Sequence, residues 1–329
     1  MIQNVVDEIK KANTILLTTH RQCDGDGLGS ELAMYHALKK IGKNVRIINV
    51  DETPQKYDFL NPDEYIQYFD SKYDPIEKSE LALIFDTNDK RLIEPLYKTI
   101  ETQCDNIIFV DHHPVLTNGP SPTNQSIINV NAASTGELAY DIITALEIPL
   151  DENIAKALYT SIVFDTQLFR YVRNSPRSHE VAAVLLQYEK NPAEVHKKLF
   201  GNFTAAKLKF LAQALSHIEF FNDDQIALLL IKTKDLESMG LHIDDSRDLI
   251  DMIMNIESVE AAAVFREDAS NVYKLSLRSK GIFPILEIAE TVGGGGHPYA
   301  SGASLNGDYE ELSQKILQSL KDKVNNYSK

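Results

Sequence analysis

Imidazole and carboxylate side chains in this chain gather at the ends of short apolar runs. Thr14 to Thr19 leads into His20, Asp24 and Asp26. Leu81 to Phe85 ends at Asp86, Asn106 to Val110 at Asp111-His112-His113, and Ser161 to Phe164 at Asp165. Oxygen and nitrogen donors without thiolate suit Mn²⁺ or Mg²⁺, with Co²⁺ and Zn²⁺ as further candidates. Brought together, bare carboxylates would repel one another, and a pair of divalent cations is the usual resolution. Each motif alone has a plainer explanation. Asp26 reads as a helix N-cap, Asp86 and Asp165 as caps or turn formers, and one of the paired histidines as simply exposed. Capping does not explain why all of them fall at the ends of apolar runs.

Short apolar runs bounded by polar residues are expected to be buried strands of a parallel sheet. In such sheets ligands bind beyond the carboxyl ends of the strands. Helical patterns alternate with these runs, from about Gly27 to Lys40, Ser134 to Leu146 and Asn153 to Ile162. The last overlaps the run before Asp165, leaving strand or helix open there. The expected fold is α/β, a doubly wound, mostly parallel sheet over residues 1–190. Residues 191–223 read as a helical connector. Residues 224–329 read as a smaller α/β domain in the order βαββαβα, with a hairpin of Val259 to Arg266 and Val272 to Ser279.

At 329 residues two domains are the natural expectation. The N-terminal stretch mixes Asp7, Glu8, Lys10 and Lys11 with Ile2, Val5, Val6 and Ile9, an amphipathic helix rather than a signal peptide. No apolar stretch is long enough to cross a bilayer, so no membrane partner is expected. Two cysteines imply no disulfide framework and fit a reducing cytoplasm. The net charge of −15 carries no basic stripe for long nucleic acid. A small phosphorylated ligand in a pocket fits better, with metals and a few Arg or His residues supplying positive charge. Tyr and Phe form no stripe assignable to base stacking.

In the C-terminal part, Gly293-Gly294-Gly295-Gly296-His297 lies between an apolar helix and an apolar strand. Four glycines allow close approach to the backbone, and their amides could form an anion-binding nest; a tight turn is the alternative. Arg278 lies on the polar face of an alternating strand, where a guanidinium suits phosphate. Asn88, Arg91, Ser134, Thr135 and Arg170 fall near the expected catalytic edge, with Arg170 and Ser134 favoured for substrate contact.

His20, Asp24-Gly25-Asp26, Asp86, Asp111-His112-His113 and Asp165 resemble the four motifs of the DHH phosphoesterases. The glycine run with His297 resembles the signature of the DHH-associated domain. Together they cover nearly the whole chain in the expected order, and the motif set is most similar to the bacterial nano-RNase and 3′-phosphoadenosine 5′-phosphate phosphatase branch. The resemblance implies two ions, most naturally Mn²⁺, that activate a water. One would be held by His20, Asp24 and Asp86, the other by Asp26, His112 and Asp165, with Asp86 shared. Four carboxylates would offset two dications. Asp111 would orient an imidazole, and His113 would bind phosphoryl oxygens or protonate the leaving oxygen. Arg278, Ser279, Gly294, Gly295, Gly296 and His297 would hold a terminal phosphate or nucleotide.

The implied activity is hydrolysis of very short RNA oligonucleotides to mononucleotides, and of 3′-phosphoadenosine 5′-phosphate, by a protein that could be a homodimer. The rival is a phosphodiesterase for cyclic di-AMP or pApA. A non-catalytic nucleotide sensor would have lost ligands, and all six ligand positions are intact. The sequence departs from the family at Gln22-Cys23, where Asn-Pro is usual, and at Gln167, where Gly is common. These put loop stiffness, oxidation sensitivity and the pocket wall in question.

Overall fold

The structure, a computed structural model, describes residues 2–70, 76–116, 119–201, 203–281 and 283–327. The chain divides into two units, Met1–Asn202 and Phe203–Lys329.

The first unit runs α1 (Ile2–Lys11), β1 (Thr14–Thr19), α2 (Gly25–Lys40), β2 (Asn44–Asn49), β3 (Ile66–Tyr68), β4 (Ser79–Phe85), α3 (Leu96–Gln103), β5 (Cys104–Asp111), β6 (Ile127–Ile128), α4 (Thr135–Ala145), α5 (Glu152–Asp165), α6 (Arg177–Leu185) and α7 (Pro192–Phe200). The strands form one sheet in the order β3-β2-β1-β4-β5-β6, and every neighbouring pair is parallel. Period-two alternation divides the strand side chains between two cores. Ile15, Leu17, Leu81, Leu83, Ile108 and Val110 face a layer that includes α1, α2, α4 and α5. Leu16, Ala82, Ile84 and Phe109 face α3 through Leu96 and Ile100. The chain winds outward in opposite directions from β1 and β4, so the crevice of a doubly wound sheet opens beyond the carboxyl ends of those two strands.

The apolar run Ser161 to Phe164 is helical. Asp151 caps α5 through its side chain on the Ile154 amide, and the helix runs unbroken to Asp165. Asp165 therefore reaches the sheet edge from a helix end, not from a strand. Two helices approach unusually closely here. A Cβ on Gly29 of α2 would meet the Ala157 carbonyl of α5 at 2.4 Å.

The second unit runs α8 (Ala205–Leu215), β7 (Glu219–Phe221), β8 (Ile226–Lys232), α9 (Thr233–Ser238), α10 (Asp248–Met254), β9 (Ala261–Ala269), β10 (Val272–Ser279), α11 (Leu286–Glu290), β11 (Gly295–His297), β12 (Ala300–Asn306) and α12 (Tyr309–Tyr327). Its sheet has the order β11-β12-β10-β9-β8-β7. Only β8 and β9 pair in parallel. One face packs on α11 and α12, the other on α8 and α10. The stretch expected to be a connector is split, with α7 ending in the first unit and α8 packed through Phe210 and Leu211 in the second.

Candidate metal centre

Beyond the carboxyl end of β1, the His20 ring turns its Nδ1 to the Arg21 carbonyl at 2.7 Å. A carbonyl only accepts, so Nδ1 carries the proton and Nε2 presents a lone pair. That lone pair lies 3.4 Å from Asp86 Oδ2 and 3.9 Å from Asp24 Oδ2. Asp24, expected only as a ligand, is also the N-cap of α2, and its Oδ1 accepts from the Asp26 and Gly27 amides. Asp26 is thus not the cap. It lies in the first turn, 1% exposed, and reaches the N-terminus of α4. There it accepts from the Thr135 amide at 2.8 Å, the Gly136 amide at 3.1 Å and the Ser161 hydroxyl. A helix N-terminus offers unpaired N–H groups and a positive partial charge, so a buried carboxylate is stabilised there.

His112 is fully buried and also has an assignable tautomer. Its Nδ1 donates to the Ala132 carbonyl at 3.2 Å. Its Nε2 faces Asp26 Oδ2 at 3.5 Å, Asp86 Oδ1 at 3.6 Å and Asp165 Oδ2 at 3.4 Å. Burial, and then the charge of His113, push His112 down to about 3, so it is neutral. Asp86 stands between the two imidazoles with one oxygen toward each, and its Oδ1 also accepts from the Thr135 hydroxyl at 3.0 Å.

Two triads result, His20, Asp24 and Asp86, and Asp26, His112 and Asp165, each with donor atoms within 4.8 Å of one another. Burial and mutual repulsion raise the carboxyls of Asp26, Asp86 and Asp165. Burial lifts Asp26 to about 6 against its hydrogen bonds. Asp86 and Asp165 rise well above the ordinary range, through burial first and then through Asp26 and the neighbouring carboxylates. Imidazole nitrogens facing crowded carboxyl groups form a nitrogen and oxygen donor set that divalent cations fit, and a bound cation would displace the protons that burial and repulsion otherwise keep on Asp86 and Asp165.

Asp111 and His113 form a separate pair. The His113 Nδ1 donates to Asp111 Oδ1 at 2.8 Å. Burial opposes the charge on His113, yet the Asp111 hydrogen bond and the other carboxylates raise it to about 9. Burial likewise opposes the charge on Asp111, but the hydrogen bond and charge of His113 hold it below the usual range. Asn88 donates to Asp111 at 2.6 Å and to the His113 carbonyl at 3.0 Å, fixing the pair.

Other expected contacts fall elsewhere. Ser134 is fully buried as the N-cap of α4, its hydroxyl accepting from the Glu137 amide. Arg91 pairs with Asp89 in an exposed turn. Arg170 is exposed. Arg173 was not singled out from sequence, yet its charge acts on both His112 and Asp165. Thr135, Gly136 and Ser161 hold Asp26 largely through backbone and hydroxyl groups that carry little sequence signal. The capping pattern Ser134-Thr135-Gly136-Glu137 is the one cue that marked this helix start.

In the second unit, the register places Arg278 of β10 opposite Ala300 of β12, and Ala300 opposite His297 of β11. Directly opposed residues share a face, so Arg278 and His297 flank the small Ala300. Two of the glycines here have structural roles. Gly293 closes α11 with φ +79°, and the Gly293 and Gly294 amides donate to the Glu290 and Ala289 carbonyls. A Cβ on Gly294 would strike the Gly302 carbonyl at 2.1 Å. The expected nest is therefore not built from these two amides, which end a helix and let β11 approach β12. The Ser279 hydroxyl donates to the Phe283 carbonyl at 2.8 Å, so its proton is committed within the unit.

Two imidazole–carboxylate triads thus meet beyond this sheet edge, with His113 beside them. Residues 14–162 match the DHH family, N-terminal domain, and residues 225–326 match the DHHA1 domain. The chain belongs to the DHH family. The bifunctional oligoribonuclease and PAP phosphatase NrnA of Thermus thermophilus is 29% identical to it, over 97% of this chain and 94% of that one. The crystal structure of an exopolyphosphatase-related protein from Bacteroides fragilis has the same fold, with a TM-score of 0.88 at 23% identity, covering 100% of this chain and 97% of that chain. RecJ from Thermus thermophilus, crystallised with Mn²⁺, shares the fold at a TM-score of 0.57 and 14% identity, over 96% of this chain and 54% of RecJ. Members of the family bind divalent metals. Among the described residues no helix is long and apolar enough to cross a membrane.

Proposed function

We propose that this chain hydrolyses very short RNA oligonucleotides to mononucleotides, and also removes phosphate from 3′-phosphoadenosine 5′-phosphate. The observation that carries this is Asp86, which directs one oxygen to each of two imidazole-containing triads, in a chain similar along nearly all its length to an oligoribonuclease and PAP phosphatase. His20, Asp24 and Asp86 would hold one divalent ion, and Asp26, His112 and Asp165 the other, with Mn²⁺ the preferred metal. When bound, the ions would supply an activated water and stabilise charge at phosphorus.

The chain's own residues do the rest. The α4 N-terminus and Ser161 fix Asp26. The Arg21 and Ala132 carbonyls set the tautomers of His20 and His112. Asp111 holds Nδ1 of His113, leaving Nε2 to donate a proton to the leaving oxygen. Arg278 and His297, with the Gly295-Gly296 edge, would hold a terminal phosphate or nucleotide. The free thiols Cys23 and Cys104 agree with a cytoplasmic setting.

The test is a panel of RNA dimers, longer oligomers, 3′-phosphoadenosine 5′-phosphate, pApA and cyclic di-AMP, with and without Mn²⁺. RNA dimers and 3′-phosphoadenosine 5′-phosphate should turn over, and chelation should stop it. Asp86→Asn should lower kcat by at least about a hundredfold. Faster turnover of cyclic di-AMP than of any RNA dimer would replace the substrate assignment. Near-normal activity in Asp86→Asn would end the two-ion scheme.

A further inference from the structure

Directly after Asp165 the backbone enters an uncommon conformation. Gln167, Leu168 and Phe169 have φ of 47°, 61° and 66°, three successive side-chain-bearing residues in the left-handed region. Each costs energy there, and such strain persists only where surrounding contacts over-determine it. The contacts are present. The buried Thr166 hydroxyl donates to the Ile162 carbonyl at 2.5 Å and accepts from the Phe169 amide at 3.0 Å. The Leu168 amide donates to the Val163 carbonyl at 2.9 Å. The Phe169 ring is anchored by stacking on His179, with centroids 4.9 Å apart.

The result is a tight left-handed coil that brings the chain back on itself. The Tyr171 amide donates to the Thr166 carbonyl at 2.9 Å, one residue from Asp165. Tyr171 is nonetheless 50% exposed. The Arg170 guanidinium lies over it, 5.3 Å from the centroid. The coil thus brings the Tyr171 backbone to within one residue of a candidate metal ligand and leaves a large aromatic side chain half in solvent.

The geometry points to Tyr171 as the stacking platform for a nucleobase of the substrate, with Arg170 backing the ring. The inference rests on the phosphoesterase activity proposed above and adds the residue that reads the base. Every base has a π-face, so stacking is sequence-tolerant and scales with ring size. An adenine should therefore be favoured over a uracil at this position.

The chain contains no tryptophan, so Tyr171→Trp introduces a single indole fluorophore at the site. Its emission should be quenched by a dinucleotide bearing a non-hydrolysable phosphorothioate linkage, and not by the matching abasic sugar-phosphate. In parallel, Tyr171→Ala should raise KM for ApA about tenfold, leave kcat within about twofold, and erase the preference of ApA over UpU. Tyr171→Phe should restore both. Unquenched indole emission in Tyr171→Trp, or a Tyr171→Ala variant with unchanged KM and unchanged base preference, would overturn the stacking assignment while leaving phosphoester hydrolysis intact. Absence of any Mn²⁺-dependent turnover by the wild-type protein would remove both.

Discussion

Asp86 sits at the end of β4 with φ 61°, a conformation that a residue bearing a Cβ adopts at some cost. Its side chain is 2% exposed, and its carboxyl is held well above the ordinary range, first by burial and then by its acidic neighbours. An acid raised on folding keeps its proton in the native state after the unfolded chain has lost it. Its contribution to stability therefore falls as pH rises above the unfolded value near 3.8. Without metal, Asp86→Asn should consequently melt several degrees above the wild type at pH 7, with the advantage disappearing by about pH 4. Thermal melts in chelator across that range check it, and added Mn²⁺ should reverse the order by binding the wild type. Glu31 tests the same sign away from the metal. It is fully buried and raised by burial to about 8, against the 2.7 Å hydrogen bond from Asn49. Wild-type stability should decline between pH 4.5 and about 8 relative to Glu31→Gln, which carries no charge to bury. Equal pH slopes would show that Glu31 is ionised in the folded protein. At this scale the sequence was legible where chemistry requires a residue type. His20, Asp24, Asp26, Asp86, His112 and Asp165 stand out because few other side chains offer donors to a cation. Ser134 and Ser279 are harder to read, because a hydroxyl that caps or bridges backbone looks, in sequence, like one that meets phosphate.

The pairing of α2 with α5 brings Asp26 and Asp165 to one edge, and Gly29 permits it. A Cβ there would lie 2.4 Å from the Ala157 carbonyl, well inside contact distance with backbone that cannot rotate away. Alanine in a helix interior gains roughly 1 kcal/mol over glycine, but overpacking of this kind costs about 1–3 kcal/mol. Gly29→Ala should therefore lose up to about 2 kcal/mol in urea unfolding and weaken Mn²⁺ binding together with it, as α5 is pushed off. A variant of full stability and full metal affinity would show that the helices have slack. Long elements such as β1, α2, β4 and β5 were visible from periodicity. The run before Asp165 was ambiguous because three consecutive apolar residues, Ile162 to Phe164, fit either period, and the Asp151 cap some distance upstream resolves it. The two- and three-residue strands β3, β6, β7 and β11 carry too few side chains for any alternation to show.

Across the whole molecule the charge of −15 sets what can approach. A ligand that touches only a few phosphate-binding groups releases few counterions, whereas a long-tract binder releases many. KM for an RNA dimer should change less than about tenfold between roughly 50 and 200 mM KCl. A steep salt slope would instead reveal a phosphate-tracking groove that neither unit was expected to have. The doubly wound sheet followed from the alternation of runs and helices, since that pattern admits few topologies. The boundary near 202 was harder to see in the sequence, because α7 and α8 are similar amphipathic helices and only their packing assigns them to different units.

The six donor residues begin at His20 and are complete only at Asp165, and β1 lies beside β4 in the sheet although β2 and β3 come between them in the chain. A nascent polypeptide leaving the ribosome presents His20, Asp24 and Asp26 long before α5 is synthesised. Capture of a cation should therefore be a late event of maturation, coinciding with closure of the first unit rather than guiding it.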